Sequence, residues 1–195
     1  MFVLTADQRD STTTGDGVPS ILTTYAGIPA VRGFDRTAGD EVEAVFDDPA
    51  VTARVAAELA ASGEWSVGIG VDDVELPLPA EARAGRGPAF VAARTAVETA
   101  KGRRIPVRVE GASRWCRDAE TALCLLVDLM EGRTEAGREA VDLVSSGLTQ
   151  AQAAERLGIS PQAVSLRLRS ARWDLQSDTE RLAASLLGLC EENRC

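Results

Sequence analysis

The sequence contains no histidine among its 195 residues. Histidine is the side chain whose ordinary pKa lies closest to neutrality, so its absence removes the commonest general base and excludes catalytic triads built on histidine. Aromatic residues make up only 4% of the chain, so its cores must be built mainly from alanine, valine and leucine. Runs of about 18 apolar residues are also missing, which excludes a membrane-spanning helix.

Cysteine is scarce, and the four cysteines stand at Cys116, Cys124, Cys190 and Cys195. No two of them are separated by the two residues typical of a zinc knuckle, which argues against a structural zinc ion. The N-terminal run MFVLTADQRD lacks the basic start of a signal peptide, so we expect a cytoplasmic protein. Cysteines of a cytoplasmic chain are expected to be reduced thiols, with a redox switch as the alternative.

The charge of the chain is unevenly distributed, although the net charge is −9 and apolar residues make up an ordinary 45%. Residues 1–110 carry 17 acidic and 11 basic side chains, a net charge of −6. Residues 147–175 carry Glu155 and Asp174 against four arginines, a net charge of +2. A basic island in an acidic chain predicts local contact with nucleic acid and weak non-specific binding elsewhere.

The basic island, residues 147–175, predicts two helices joined by a tight turn. Thr149 begins the first helix, and Gln152 three residues later completes a capping box. Gly158 is free to take the left-handed conformation that ends a helix. Ser160 then caps a second helix, the reading helix at 160–173, whose first residue is Pro161. Cap, glycine, cap and proline together predict a helix-turn-helix.

The reading helix is predicted to bury a stripe of Val164, Leu168, Ala171 and Leu175, which recur at spacings of four, three and four. Its other face is polar and basic and suits a DNA major groove, where side chains meet base edges and phosphates. The alternative is an ordinary helical hairpin with a solvated arginine face. The predicted DNA-binding residues are Thr149, Gln150, Ser160, Gln162, Ala163, Ser165, Arg167, Arg169 and Arg172.

The run from Gly158 to Ser165 reads GISPQAVS. It resembles the phrase GIS-x-x-A/T-V-S, which recurs in the helix-turn-helix of sigma-factor region 4 and of many bacterial regulators. The resemblance implies that double-stranded DNA is the partner of this segment.

The first part of the chain alternates short β-rich runs with helical patterns. The predicted strands are 2–6, 30–35, 41–46, 65–71 and 105–110, and the predicted helices are 19–26, 49–62 and 88–101. Residues 10–17, DSTTTGDG, are predicted to form a loop. The order β-α-β-β-α-β predicts a ferredoxin-like domain, an antiparallel sheet with helices on one face.

A domain boundary is predicted at residues 111–113, Gly-Ala-Ser. Beyond it the sequence shows only helical patterns, at 115–131, 134–146, 149–157, 160–173 and 178–191. The predicted fold is therefore α+β, with a ferredoxin-like domain at 1–111 and an all-α helix-turn-helix domain at 112–195. Leu182, Leu186 and Leu189 lie on one face of the last helix, with Leu187 beside it. That stripe is expected to pack on the helix-turn-helix or to form a dimer seam.

Two aspartates in the first domain suit a metal ion. Asp7 follows the first strand and Asp40 lies in the hairpin, so we expect them to face each other across neighbouring strands. Mg²⁺ takes few carboxylates together with phosphate oxygens, so the pair predicts Mg²⁺ with a nucleotide as the one candidate cofactor. The alternative is that both aspartates are turn residues.

The segments TADQRDST, RTAGDEVEAVFDDP and GRGPAFVAARTAVETAK resemble parts of the class III nucleotide cyclases and, more distantly, of GGDEF domains. The resemblance implies Asp7 and Asp40 as metal ligands, and Arg94 and Arg36 as nucleotide-binding residues. Phe90 stands where the cyclases carry an asparagine, and the chain before the hairpin is too short for their two triphosphate-covering helices. These departures favour binding over cyclisation.

A first strand that ends in Asp, a Gly-Asp hairpin and a C-terminal helix-turn-helix, in that order, resemble the SatD family of bacterial proteins. The resemblance covers most of the chain. It implies a DNA-binding protein with a cyclase-like or nucleotide-sensing domain.

These patterns lead to one leading hypothesis, a cytoplasmic, dimeric, sequence-specific DNA-binding transcriptional regulator. Its N-terminal domain is expected to dimerise or to sense a nucleotide effector without catalysis, and no residue is predicted to be catalytic. An enzyme, either a metal-dependent nucleotide-binding protein or a divergent nucleotide cyclase, is the alternative. A third hypothesis is an adaptor whose partner is RNA polymerase. None of the three requires a membrane.

Overall fold

The computed structural model of the chain describes residues 1–9 and 15–194, so Cys195 and most of the predicted loop at 10–17 lie outside it. In these ranges the strands are β1 (Phe2–Gln8), β2 (Arg32–Arg36), β3 (Glu41–Phe46), β4 (Trp65–Val71) and β5 (Val107–Gly111). The α-helices are α1 (Val18–Thr24), α2 (Pro49–Ala61), α3 (Pro88–Ala100), α4 (Trp115–Glu131), α5 (Glu135–Ser145), α6 (Gln150–Leu157), α7 (Pro161–Ser170) and α8 (Trp173–Glu192). None of these helices has both the length and the apolar composition needed to cross a membrane.

The five strands form one mixed sheet in the order β2-β3-β1-β4-β5. Strand β1 lies between β3 and β4 and runs antiparallel to both, whereas β5 runs parallel to β4. The predicted wholly antiparallel sheet is therefore wrong. The reason is α3, which lies between β4 and β5 in the chain and returns it to the end where β4 began, as helical crossovers do.

Helices cover both faces of the sheet, so the prediction of helices on one face is wrong as well. Phe2 and Leu4 contribute to the core under α2, α4 and α8, whereas Val3 packs in a separate cluster with α3. The sequence WSVGIGV makes room for α3, because a Cβ at Gly68 or Gly70 would overlap the α3 backbone. A sheet buried on both sides leaves its strands almost entirely apolar, as the burial of all of β4 shows.

The core beneath the sheet includes helices from both sides of residue 111. Leu123 and Leu126 of α4 and Leu187 of α8 are fully buried in the same cluster as Phe2 and Leu4. The structure also joins Cys116 of α4 to Cys190 of α8 in a disulfide, so the expectation of reduced thiols is wrong for this pair. The division into domains 1–111 and 112–195 stays a prediction.

Helices α5, α6 and α7 form a three-helix unit with an apolar cluster of its own. Its buried residues are Ala140, Val141, Ala153, Ala154, Val164, Leu168 and Ala171. Arg133, between α4 and α5, fastens this unit to α8. Its guanidinium is buried and donates to the carbonyl of Ala171 at 3.0 Å and to Gln176 Oε1 at 2.5 Å. Burial lowers the pKa of Arg133.

The boundary between the last two helices lies earlier in the chain than predicted. The reading helix ends at Ser170 and α8 begins at Trp173, because Arg172 takes the left-handed conformation with φ 52°. This break shifts the helical phase, so Leu175 lies on α8 and is 51% exposed instead of buried. Within α8, Leu187 is fully buried in the core and Leu182 is 51% exposed, so the face that packs is centred on Leu187 and not on the predicted stripe.

Candidate nucleic-acid interface

The N-terminus of α6 has the predicted capping box. Thr149 Oγ1 accepts from the backbone N–H of Gln152 at 3.3 Å, and Gln152 Oε1 accepts from the backbone N–H of Thr149 at 2.9 Å. Gly158 ends the helix in the left-handed conformation with φ 65°. Both features are confirmed, so the direction of α6 and the point at which it stops are fixed by local chemistry.

The start of α7 is equally well defined. Ser160 Oγ accepts from the backbone N–H of Ala163 at 3.2 Å, and Pro161 is the first helical residue, both as predicted. Between the helices, the N–H of Ile159 donates to the carbonyl of Ala154 at 3.1 Å, and the Ile159 side chain packs on the apolar cluster. The turn therefore leaves α7 little freedom to change its angle to α6.

Three of the predicted inward residues of α7 are buried, namely Val164, Leu168 and Ala171. The residues opposite them follow from the helical repeat of 3.6 residues per turn. At spacings of four and three, Gln162, Leu166 and Arg169 line the middle of the outward face, and all three are exposed. We call this row the outward stripe.

Arg167 does not belong to the outward stripe, so the prediction that it points away from the core is wrong. Its side chain is only 30% exposed and pairs with Glu139 Oε2 of α5 at 3.2 Å. It also reaches the carbonyl of Ala136 at 3.5 Å. One turn of α7 separates Arg167 from Ala163, which is half-buried too, so this side of the helix faces α5.

A shallow hollow of about 220 Å³ connects α6 to α7. Gln150 from the first turn of α6 lines it together with Ser165 and Arg169 of α7. The structure thus brings three predicted DNA-binding residues together on one surface. Thr149, Ser160 and Gln162 are exposed at the N-terminal ends of the same two helices.

Arg172 lies apart from that hollow. It lines a second cleft of about 380 Å³ with Arg104, Arg133 and Asp128 near the C-terminal end of α4. Asp128 pairs with Arg104 at 2.8 Å, so acidic groups offset part of the positive charge there. Of the arginines predicted to contact DNA, only Arg169 is central to the exposed face of α7.

Leu166 is the residue of this surface that the sequence prediction missed. It lies on the outward side of α7, between Gln162 and Arg169 along the helix axis and one turn from each, and it is 63% exposed. The prediction collected polar and basic residues and therefore passed over a leucine. The signal was present in the sequence, since positions 162, 166 and 169 follow the same four-three spacing as the buried stripe.

The two predicted metal ligands, Asp7 and Asp40, have neighbouring backbones in the sheet, but the Asp7 side chain binds a lysine. Asp7 is paired across the sheet with Glu41, and the N–H of Gln8 donates to the carbonyl of Asp40 at 3.2 Å. The Asp7 carboxylate, however, forms an ion pair with Lys101 at 3.0 Å. Residues 1–9 and 15–194 contain no group of three or more acidic or cysteine side chains arranged to hold a metal.

The two predicted nucleotide-binding arginines both bind acidic side chains. Arg94 Nη1 donates to Glu41 Oε2 at 2.6 Å, and Arg36 Nη2 donates to Asp16 Oδ2 at 2.5 Å. The bond from Arg36 lowers the pKa of Asp16. With Asp7 and both arginines already paired, the metal and nucleotide sites rest on the sequence prediction alone.

Two glutamates of β3, Glu41 and Glu43, are buried in the sheet region. Glu41 pairs with Arg94 of α3, and Glu43 lies on the same face of the sheet beside Thr5. Burial raises the pKa of Glu43 to about 7, with the neighbouring Glu41 adding to the rise and a hydrogen bond from Thr5 at 3.2 Å opposing it. The strand pattern alone does not predict that this face of β3 is covered.

Comparison of the chain with protein-family models, with curated proteins and with solved structures finds no match. The resemblances to the SatD family, to nucleotide cyclases and to sigma-factor region 4 therefore remain predictions from the sequence.

Proposed function

We propose that this protein is a sequence-specific DNA-binding transcriptional regulator that acts as a dimer, with α6 and α7 as its helix-turn-helix. The observation that carries the proposal is the exposed surface shared by Gln150, Ser165 and Arg169, continued by Gln162. Two capped helices and a left-handed glycine present these side chains at a fixed angle. A helix presented this way has the dimensions that a major groove admits.

The side chains of this surface fall into two groups, those expected to contact phosphates and those expected to contact the edges of bases. Thr149 and Ser160 lie at helix N-termini, whose free N–H groups and positive dipole end favour phosphate oxygens. Gln162 can form two hydrogen bonds with adenine, and Arg169 can form two with guanine. Phosphate contacts set the register of the protein on the duplex, and the base contacts supply the sequence preference.

Dimerisation follows from the weakness of a single reading unit. The pairing of Arg167 with Glu139 removes one positive charge from a surface that has few, and the chain as a whole carries a net charge of −9. Electrostatic attraction to DNA is therefore small, and one unit reads only a few base pairs. Two units on half-sites about 34 Å apart would double the specific contacts. The sheet region would dimerise, bind an effector such as a nucleotide, or contact RNA polymerase.

The test is selection of duplexes from a random pool by the full chain, followed by binding titrations on the selected sequence. The expected motif has two related half-sites about 10 base pairs apart. Gln162→Ala should relax the preference at one position of each half-site. Arg181→Ala is the matched control, because this exposed arginine of α8 pairs with Asp178 and lies outside the surface. A pool that yields no enriched sequence would reject the proposal.

A further inference from the structure

Leu166 occupies the centre of the outward stripe, on the side of α7 directly opposite Val164, Leu168 and Ala171. It is 63% exposed and contributes nothing to the buried cluster of the three-helix unit. An exposed leucine is ordinary by itself. This one is set apart by its neighbours, because Gln162 precedes it by one turn and Arg169 follows it by one turn.

The row Gln162–Leu166–Arg169 therefore alternates hydrogen-bonding groups with one apolar group. Side chains four or three residues apart on a helix lie about 5–6 Å from each other. Successive base pairs are spaced by about 3.4 Å along the duplex. Three such side chains laid along a groove span a few neighbouring base pairs, with the leucine over the middle of that span.

We propose that Leu166 reads the 5-methyl group of a thymine in the major groove, an inference that rests on the proposed function. The thymine methyl is the one apolar group that the four bases display there, and the other positions offer hydrogen-bond donors or acceptors. Leucine has no polar group and gains only from contact with the methyl. The thymine lies between the base contacted by Gln162 and the base contacted by Arg169.

Replacement of thymine by uracil tests this directly, since deoxyuridine lacks only the methyl group. Each thymine of the selected duplex is replaced in turn, and affinity is measured for the full chain and for Leu166→Ala. In the unmodified protein, one thymine position in each half-site should be sensitive. Its replacement by uracil should weaken binding about four-fold, the effect of losing the burial of one CH₂-sized apolar group. In Leu166→Ala the same replacement should have no effect. Leu182→Ala is the control, because this exposed leucine of α8 lies off the stripe and should leave the uracil effect intact.

Three results would overturn the inference while the proposed function stands. They are a selected duplex in which no uracil replacement weakens binding, a uracil effect that persists in Leu166→Ala, and a Leu166→Ala protein that changes its oligomeric state but keeps its base preference. The last result would make Leu166 a subunit contact. Failure to select any sequence would instead contradict the proposed function, and this inference with it.

Discussion

The sheet region and the three-helix unit are built from different amounts of apolar surface. The core beneath the sheet contains Trp65, Phe2 and Phe46, all fully or almost fully buried, and it draws in α4 and α8. The three-helix unit is closed mainly by alanines and by Val164 and Leu168, and the aromatic residue packed against it, Trp173 of α8, is only partly buried. Stability scales with buried apolar area, so the sheet region must supply most of it.

This difference explains why the three-helix unit depends on local chemistry. Its caps, its left-handed glycine and the buried Arg133 contact to α8 fix geometry that a larger core would fix by packing. The unit proposed to bind DNA is thus held at a defined angle but weakly stabilised, and it is anchored to a robust sheet. Substitutions in the two regions should separate these two contributions.

The largest effect is expected from the shared core. Leu126→Ala removes a fully buried side chain between α4 and the sheet core and should lower the free energy of unfolding by about 2–5 kcal/mol, as measured by urea denaturation. Leu125→Ala is the matched control, because the adjacent side chain is 60% exposed and should change stability by no more than about 0.5 kcal/mol. Equal losses for the two variants would contradict the shared core.

The disulfide should have the next largest effect. Cys116 and Cys190 are separated by 74 residues, and closing so long a loop restricts the unfolded chain. The double variant Cys116→Ala, Cys190→Ala should therefore lower the free energy of unfolding by about 2–4 kcal/mol. Cys124→Ala, which removes a half-buried free thiol, is the comparison. If the oxidised protein and the double variant unfold at the same urea concentration, the disulfide between α4 and α8 does not stabilise the fold.

Glu43 should make the sheet region less stable as pH rises. Its folded pKa is about 7 and its ordinary value is 4.5, so the folded state binds the proton more tightly than the unfolded state. The free energy of unfolding should fall between pH 4.5 and pH 7, by up to about 3 kcal/mol at 1.36 kcal/mol per pKa unit. Glu43→Gln should abolish that fall and be the more stable protein above pH 7. Exposed Glu64→Gln should retain it.

A smaller effect on stability is expected at the cap of α7. Ser160→Ala removes the oxygen that accepts from the N–H of Ala163 and should destabilise the helix by about 1 kcal/mol. Amide hydrogen exchange should show faster opening in α7 and unchanged protection in β1 and β4. Uniform loss of protection across the chain would mean that the two regions unfold as one unit. It would contradict the lower stability expected for the three-helix unit.

The parts of the candidate site that the sequence predicted correctly are those that local chemistry determines. Thr149, Gln152, Gly158 and Ser160 act within a few residues of their own position, so their roles could be read from spacing alone. The same holds for Val164 and Leu168, which repeat on one face of a single helix.

The sequence predictions were wrong where contacts with residues far away in the chain determine the orientation, burial or pairing of a side chain. Arg167 turns toward α5 because its guanidinium pairs there with Glu139, 28 residues earlier in the chain. Glu43 is buried because the turn at Ala82–Ala84 packs against β2 and β3 while α3 covers the neighbouring strands β1 and β4, an arrangement that the strand pattern does not encode. Strand order and the pairing of Cys116 with Cys190 are likewise properties of the assembled chain.

Binding of DNA by the outward face of α7 is tested most directly by a paired measurement on two arginines of that helix. Arg169→Ala should weaken binding of the selected duplex by about 1–3 kcal/mol and leave the free energy of unfolding unchanged. Arg167→Ala, which breaks the ion pair with Glu139, should change stability by about 0–1 kcal/mol and affect binding less than Arg169→Ala does. A folded Arg169→Ala protein that binds the duplex with unchanged affinity would contradict the binding of DNA by this face of α7.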